Sequence, residues 1–323
     1  MGFHEQGGAG GNRYSRVKIV RKAGSKGLLA LNADGFHSSD VGVGPSLVDS
    51  EISFTGDDFL NIHNRMLVIC GSPRADQLAI VDVAPLGDLK AGETVSFWRL
   101  QPNCKGGCPR MNARLGAGTV KSARAATDPE LKAACAAAYA GMQAPPHNAS
   151  LVIKRLPSAA TLVTFEAAVP PAVTASGYNL AQRDSRSGAG ARIFNNHFHD
   201  GFSRMGLLKA MNISYTGNTV ERAGGLHVYS EQEWLEGDLG IRNVLVTNNT
   251  IADPTSCGMQ NLSAAACLNA SGHFLQGQGG LLNVSCGDNT FVAGGAEASS
   301  GAAGLAWCHP LKADDDDLWS SGA

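Results

Sequence analysis

The chain has 323 residues, with 26 Lys plus Arg against 28 Asp plus Glu and no basic block, which excludes the electrostatic footprint of a nucleic-acid binder. Glycine is heavy at 40 residues, aromatics are light at 6%, and asparagine recurs between short apolar runs, the pattern of many short strands joined by tight turns. No apolar stretch is long enough to span a bilayer.

The N-terminus, MGFHEQGGAGGNRYSRVK, carries no apolar signal core, and the strand pattern is under way almost at once. The expectation is a secreted or extracellular protein whose precursor begins before this chain; a cytosolic protein is the alternative. Six N-x-S/T sequons, at Asn148, Asn212, Asn248, Asn261, Asn269 and Asn283, suit a secreted glycoprotein. The plain alternative is that Asn and Thr crowd the turns.

Over 1–64 a shift of 23 residues lays GLLALNADGF on SEISFTGDDF, matching Leu29 with Ile52, Leu31 with Phe54, Asp34 with Asp57 and Phe36 with Phe59. Each segment reads as one strand and a corner, repeated once per coil. Such coils bury their inner faces only by stacking, so the expected fold is all-β, a right-handed parallel β-helix. Over 65–190 the coil pattern stops. RMLVICG, QLAIVDVAP, GETVSFWRL, ASLVIKRLP and ATLVTFEAAV read as strands of a small inserted barrel or sandwich, with one short helix at DPELKAACAAAYAGM.

Coils resume over 191–308 in IFNNHF, ISYTGNTV, VLVTNNTI and VSCGDNTF, which share Asn196, Asn218, Asn249 and Asn289. These asparagines read as turn residues that tolerate left-handed backbone and bond neighbouring coils. Residues 309–323 read as an acidic, solvated tail. Eight cysteines permit disulfides; the CKGGC pair, Cys104 and Cys108, lacks a second ligand pair at zinc spacing, so no metal is expected there. No phosphate-cradling or dinucleotide motif is present, and no cofactor is expected.

If Asp34 and Asp57 occupy one position on neighbouring coils, their backbones lie about 4.8 Å apart with Asp58 alongside. Three carboxylates so close cannot all ionise cheaply; one protonated and one anionic is the state that glycoside hydrolysis uses. The alternative is that Asp34 and Asp57 are ordinary turn residues.

The run NADGFH followed by GPSLVDSEISFTGDDFLNIHN, with the later FSRMGLLKAMNISYTGNTV and EQEWLEGDLGIRNVLVTNNTI, resembles the α-1,3-galactosidases of glycoside hydrolase family 110. The resemblance implies a β-helical, inverting enzyme that removes terminal α-linked galactose, with a carbohydrate partner and neither nucleic acid nor membrane. It implies Asp34, Asp57 and Asp58 as the acid and base group, Arg204 as a guanidinium fork, Glu236 as an acceptor for sugar hydroxyls and Trp234 as a sugar platform. Asn61 and His63, just after GDDF, are expected to reach the same cleft as donors, with His37 a weaker candidate. The family's Glu-Ser-Gly step stands here as Glu236-Gly237-Asp238. The alternatives are a polygalacturonase-like hydrolase, whose Gly-His-Gly and Arg-x-Lys steps are missing, and a non-catalytic carbohydrate-binding protein.

Overall fold

The structure is a computed structural model that describes residues 1–82, 89–101, 110–143, 159–174, 179–228, 236–238, 240–253, 268–269 and 282–292. The protein is mainly β. Three six-stranded parallel sheets take one strand each in rotation along the chain. The first runs β1 (Phe3–Gln6), β4 (Phe36–Ser39), β7 (Leu60–His63), β16 (Arg204–Lys209), β19 (Gly224–Val228) and β22 (Leu268–Asn269). The second runs β2 (Arg13–Ser15), β5 (Ser46–Val48), β14 (Arg192–Phe194), β17 (Ser214–Thr216), β20 (Arg242–Thr247) and β23 (Leu282–Gly287). The third holds β3 (Lys18–Ile19), β6 (Glu51–Ser53), β15 (His197–His199), β18 (Thr219–Glu221), β21 (Thr250–Ala252) and β24 (Thr290–Val292).

The strands are short because each needs to place only one or two residues inward. In the second sheet Leu47, Ile193, Tyr215, Val246 and Cys286 stack in register and are all buried. Ile52, Phe198, Val220 and Ile251 do the same in the third. Phe59, Phe198 and Tyr215 continue across the interior, with ring centroids 5.6 and 6.2 Å apart. One apolar core therefore runs through all three sheets.

Two details of the repeat differ from expectation. Each circuit of the chain contributes three strands, not one. The stacking register is also one residue off the self-match, since β4 pairs Phe36 with Leu60. The segment from Leu28 to Asp34 forms no strand: Leu31 makes one isolated bridge to Thr55, and Leu28 is 82% exposed. Ile52 stacks on Ile19 in the third sheet, so similar sequences lie on different faces of the circuit.

The corner asparagines form a ladder. Asn196 Nδ2 donates to Asn218 Oδ1 at 3.0 Å, Asn218 Nδ2 to Asn249 Oδ1 at 3.0 Å, and Asn249 Nδ2 to Asn289 Oδ1 at 2.8 Å. Each acceptor oxygen also takes the backbone N–H of the asparagine before it. The left-handed backbone falls one residue earlier, at Asn195, Gly217, Asn248 and Asp288, where short polar residues or glycine tolerate positive φ. The two tasks assigned to one residue are thus divided between adjacent ones.

Between β7 and β14 the chain builds a closed barrel in the order β10 (Thr94–Gln101), β11 (Arg110–Ala125), β12 (Ala159–Phe165), β9 (Gln77–Asp82), β8 (Leu67–Arg74) and β13 (Asn179–Arg183). Leu67, Ile69, Leu78, Ile80, Val95, Phe97, Val163 and Phe165 belong to one buried cluster. Met66, Val68, Ala79 and Val81, the alternate residues, pack with Cys135 and Leu131 of α1 (Pro129–Gln143) in another. Asp128 Oδ1 accepts the Leu131 N–H and caps that helix. Cys70 and Cys135 form a disulfide between β8 and α1. No strand is expected from the Ala-, Gly- and Arg-rich β11; pairing with β10 and β12 on its two sides overrides its weak intrinsic preference. Trp234, the CKGGC pair, ASLVIKRLP and the acidic tail lie outside the described residues.

Candidate active site

The candidate residues gather at the first sheet. Asp34 precedes β4, Asp57 and Asp58 precede β7, and Arg204 opens β16, so adjacent strands set them side by side. Gly35 N donates to Asp58 O at 2.8 Å and Phe59 N to Arg204 O at 3.0 Å, which fixes the three approaches. One carboxylate oxygen from each of Asp34, Asp57 and Asp58 lies within 4.8 Å of the others.

Equal chemistry meets unequal surroundings. Asp58 is 2% exposed, and its Oδ1 accepts from Ser203 Oγ at 2.9 Å, Arg204 N at 3.1 Å and Arg204 Nε at 2.8 Å. Arg204 Nη2 donates to its Oδ2 at 3.0 Å, completing a two-pronged pair. Asp34 is buried and receives His37 Nδ1 at 2.6 Å. Asp57 is exposed, yet desolvation and the neighbouring charges of Asp58 and Asp34 raise its carboxyl pKa above the ordinary value, with Arg204 opposing. Asp57 is the member of the trio that faces solvent.

A second group continues along the outward face of the same sheet. Alternation turns Phe36 and Ile62 into the core, so His37, Asn61 and His63 point the other way. His37 Nε2 lies 2.9 Å from His63 Nε2, and His63 Nδ1 donates to the Asn64 carbonyl at 2.8 Å. Burial, aided by Lys209, pushes His63 down to about 4, against the pull of Glu236. Glu236, whose backbone bridges Arg65, places Oε1 3.6 Å from His63 Nε2 and accepts from Lys209 Nζ at 2.8 Å through Oε2. Burial alone would raise Glu236, but its neighbours His63 and Lys209, the latter also hydrogen-bonded to it, outweigh that and hold the carboxyl well below its usual range.

Of the nine expected site residues, eight are described, and all eight fall into these two joined groups; His37 is central rather than marginal. Asp34 connects them, with one edge toward Asp57 and Asp58 and a hydrogen bond to His37. Sequence reading passed over Lys209, fully buried and ion-paired with Glu236, and Ser203, which helps hold Asp58. A lysine at the end of the apolar run MGLLK is the signal that marks Lys209. Phe202, 80% exposed beside Ser203, is an aromatic whose apolar ring face suits the apolar face of a sugar. A scan against protein-family models and a search of curated proteins each find no match.

Proposed function

We propose that the chain is a glycoside hydrolase built on a right-handed parallel β-helix, the three rotating sheets being the faces of its coils, and that it removes terminal α-linked galactose, α-1,3 in linkage, with inversion. The observation that carries this reading is the unequal carboxylate trio, in which an exposed acid with a raised pKa stands within 4.8 Å of two buried carboxylates. Asp57 is the acid that protonates the departing sugar oxygen. Asp34, oriented by His37, is the base that takes a proton from the water attacking the sugar carbon, while Asp58 holds Arg204 in place. Asn61 and Arg204 are the groups that bond sugar hydroxyls.

The galactose specificity and the stereochemistry rest on the resemblance of NADGFH and GDDFLNIHN. The trio is tighter than the ~6.5–9.5 Å between carboxyl groups that leaves room for water in an inverting pair. The first-formed anomer is therefore the informative readout. Secretion accords with the Cys70–Cys135 disulfide, which oxidising compartments favour. Among the described residues no helix is long and apolar enough to cross a membrane.

The test is release of galactose from an α-1,3-linked galactosyl disaccharide, followed by proton NMR, with Asp57→Asn as the control. β-Galactose appearing first, and only with Asp57 intact, is expected. α-Galactose appearing first means retention and removes the inverting step. No release from a folded sample, or release that survives Asp57→Asn, overturns the acid assignment.

A further inference from the structure

We propose that His37, His63 and Glu236 form a binding site for a divalent transition-metal ion of the zinc type. These ligands are far apart in the chain, and the stacking of β4 on β7, with Glu236 bridged to Arg65, brings them together. One ligand atom from each lies within 4.8 Å of the others, and His63 Nε2 stands 2.9 Å from His37 Nε2 and 3.6 Å from Glu236 Oε1.

Four observations separate this group from a chance cluster of polar residues. First, both imidazoles are held by their other nitrogen: His37 Nδ1 bonds Asp34 Oδ2 at 2.6 Å, and His63 Nδ1 donates to Asn64 O at 2.8 Å. A carboxylate and a backbone carbonyl are the partners that orient metal-bound histidines, and here they aim both Nε2 atoms at one point. Second, Lys209 Nζ occupies Glu236 Oε2 at 2.8 Å, leaving Oε1 turned to His63 as a single-oxygen ligand. Third, the spacing fits. Zinc bonds of about 2.0–2.1 Å in a tetrahedron set neighbouring ligand atoms on the order of 3.3 Å apart, and the observed separations of 2.9 Å between the nitrogens and 3.6 Å from nitrogen to oxygen bracket that value. Fourth, Asn61 is only 7% exposed, its Nδ2 lies 3.5 Å from Glu236 Oε2, and its Oδ1 is buried without a hydrogen-bond partner among the described residues. A buried oxygen without a donor is a cost that a cation or its bound water relieves.

Two imidazoles and one carboxylate select zinc, cobalt, nickel or iron over calcium or magnesium, which prefer all-oxygen shells. Three protein ligands leave a fourth position for water or a sugar hydroxyl. Through the His37–Asp34 bond, the ion would also fix the carboxylate proposed above as the base.

The test loads the full chain, stripped with chelator and free of any histidine tag, with zinc or cobalt and needs no sugar substrate, so its result stands apart from that of the galactose assay. One equivalent of zinc is expected to bind in titration calorimetry, and cobalt to give a visible d–d absorption band. His37→Gln, His63→Gln and Glu236→Gln, each checked for folding by circular dichroism, are expected to weaken binding more than ~100-fold. Asp34→Asn, which alters the hydrogen bond that orients His37 and removes no ligand atom, should weaken it ~10–100-fold. His197→Gln on the third sheet should bind as the parent does. Absence of stoichiometric binding by the parent overturns the site, as does binding unchanged in any folded ligand variant. His37→Gln and Glu236→Gln keep the test decisive if the more deeply buried His63→Gln does not fold.

Discussion

At Asp57 desolvation and the charges of Asp58 and Asp34 act in one direction, raising the carboxyl pKa of a side chain that still faces solvent. The sign has two consequences. Because the folded protein holds this proton more tightly than the unfolded chain does, the associated stability is fully present below the ordinary aspartate value and is lost as pH rises through the raised one. Asp57→Asn removes that loss, so its thermal midpoint at neutral pH should equal or exceed the parent's. If Asp57 is the acid, the same variant should lose ~10²–10⁴-fold in kcat, and the parent's kcat should fall as pH climbs through the Asp57 value. A pH-rate profile beside a melting curve reads both; a variant that melts early and is inactive for that reason contradicts the assignment. Much of this was visible in the motif NADG…GDD, because acids at coil spacing must crowd. Which of the three stays free was not visible, since Asp58 is claimed by Ser203 and Arg204, whose approach depends on β16 lying beside β7. Gly35 illustrates the same limit. Its backbone is not left-handed; a Cβ there would come within 2.8 Å of Phe59 O and 2.6 Å of Ile52 Cγ2, so the Asp-Gly step marks close stacking, not a turn.

Among the elements, the asparagine corner was the most legible because its pattern is local: a residue that accepts positive φ, then Asn, then a strand. Asn218 stands in its middle, accepting from Asn196 N and Nδ2 and donating to Ile193 O and Asn249 Oδ1. Asn218→Ala should strip partners from several buried groups and cost about 2–4 kcal/mol in urea denaturation. A cost under ~1 kcal/mol would mean that water replaces the ladder. Tyr215 gives the opposite sign. It stacks on Phe198 with its ring fully buried, and its hydroxyl has no partner among the described residues. Tyr215→Phe keeps the stack and removes an unsatisfied polar atom, so the midpoint should stay level or rise, by up to ~1–2 kcal/mol. A clear loss would reveal a hydrogen bond to water. The expected strand at Leu28–Asp34 does not form for a reason of element scale: an apolar run becomes a strand only where a neighbour pairs along its length, and among the described residues this one makes a single isolated bridge, Leu31 with Thr55.

At the scale of the whole molecule the chain leaves the rotating sheets after β7 and returns at β14, and the barrel built in between has buried clusters separate from the core of the three sheets. Separate cores imply separable stability. The Cys70–Cys135 disulfide lies entirely within the barrel and its helix and closes a sequence separation of 65 residues. By chain entropy a loop of that size is worth about 4 kcal/mol, an upper figure because denatured chains retain structure. Replacing both cysteines with alanine should therefore weaken the barrel alone. In hydrogen exchange read by mass spectrometry, peptides from β8, β9, β12 and α1 should lose protection, while peptides from β14 through β21 keep it. Equal loss in both would show that the barrel and the sheets open as one cooperative unit, joined through the chain passages on either side of the barrel. Since Arg65 and Glu236 meet where the first of those passages leaves the sheet, that result would also tie the integrity of the barrel to the geometry of His63 and Glu236.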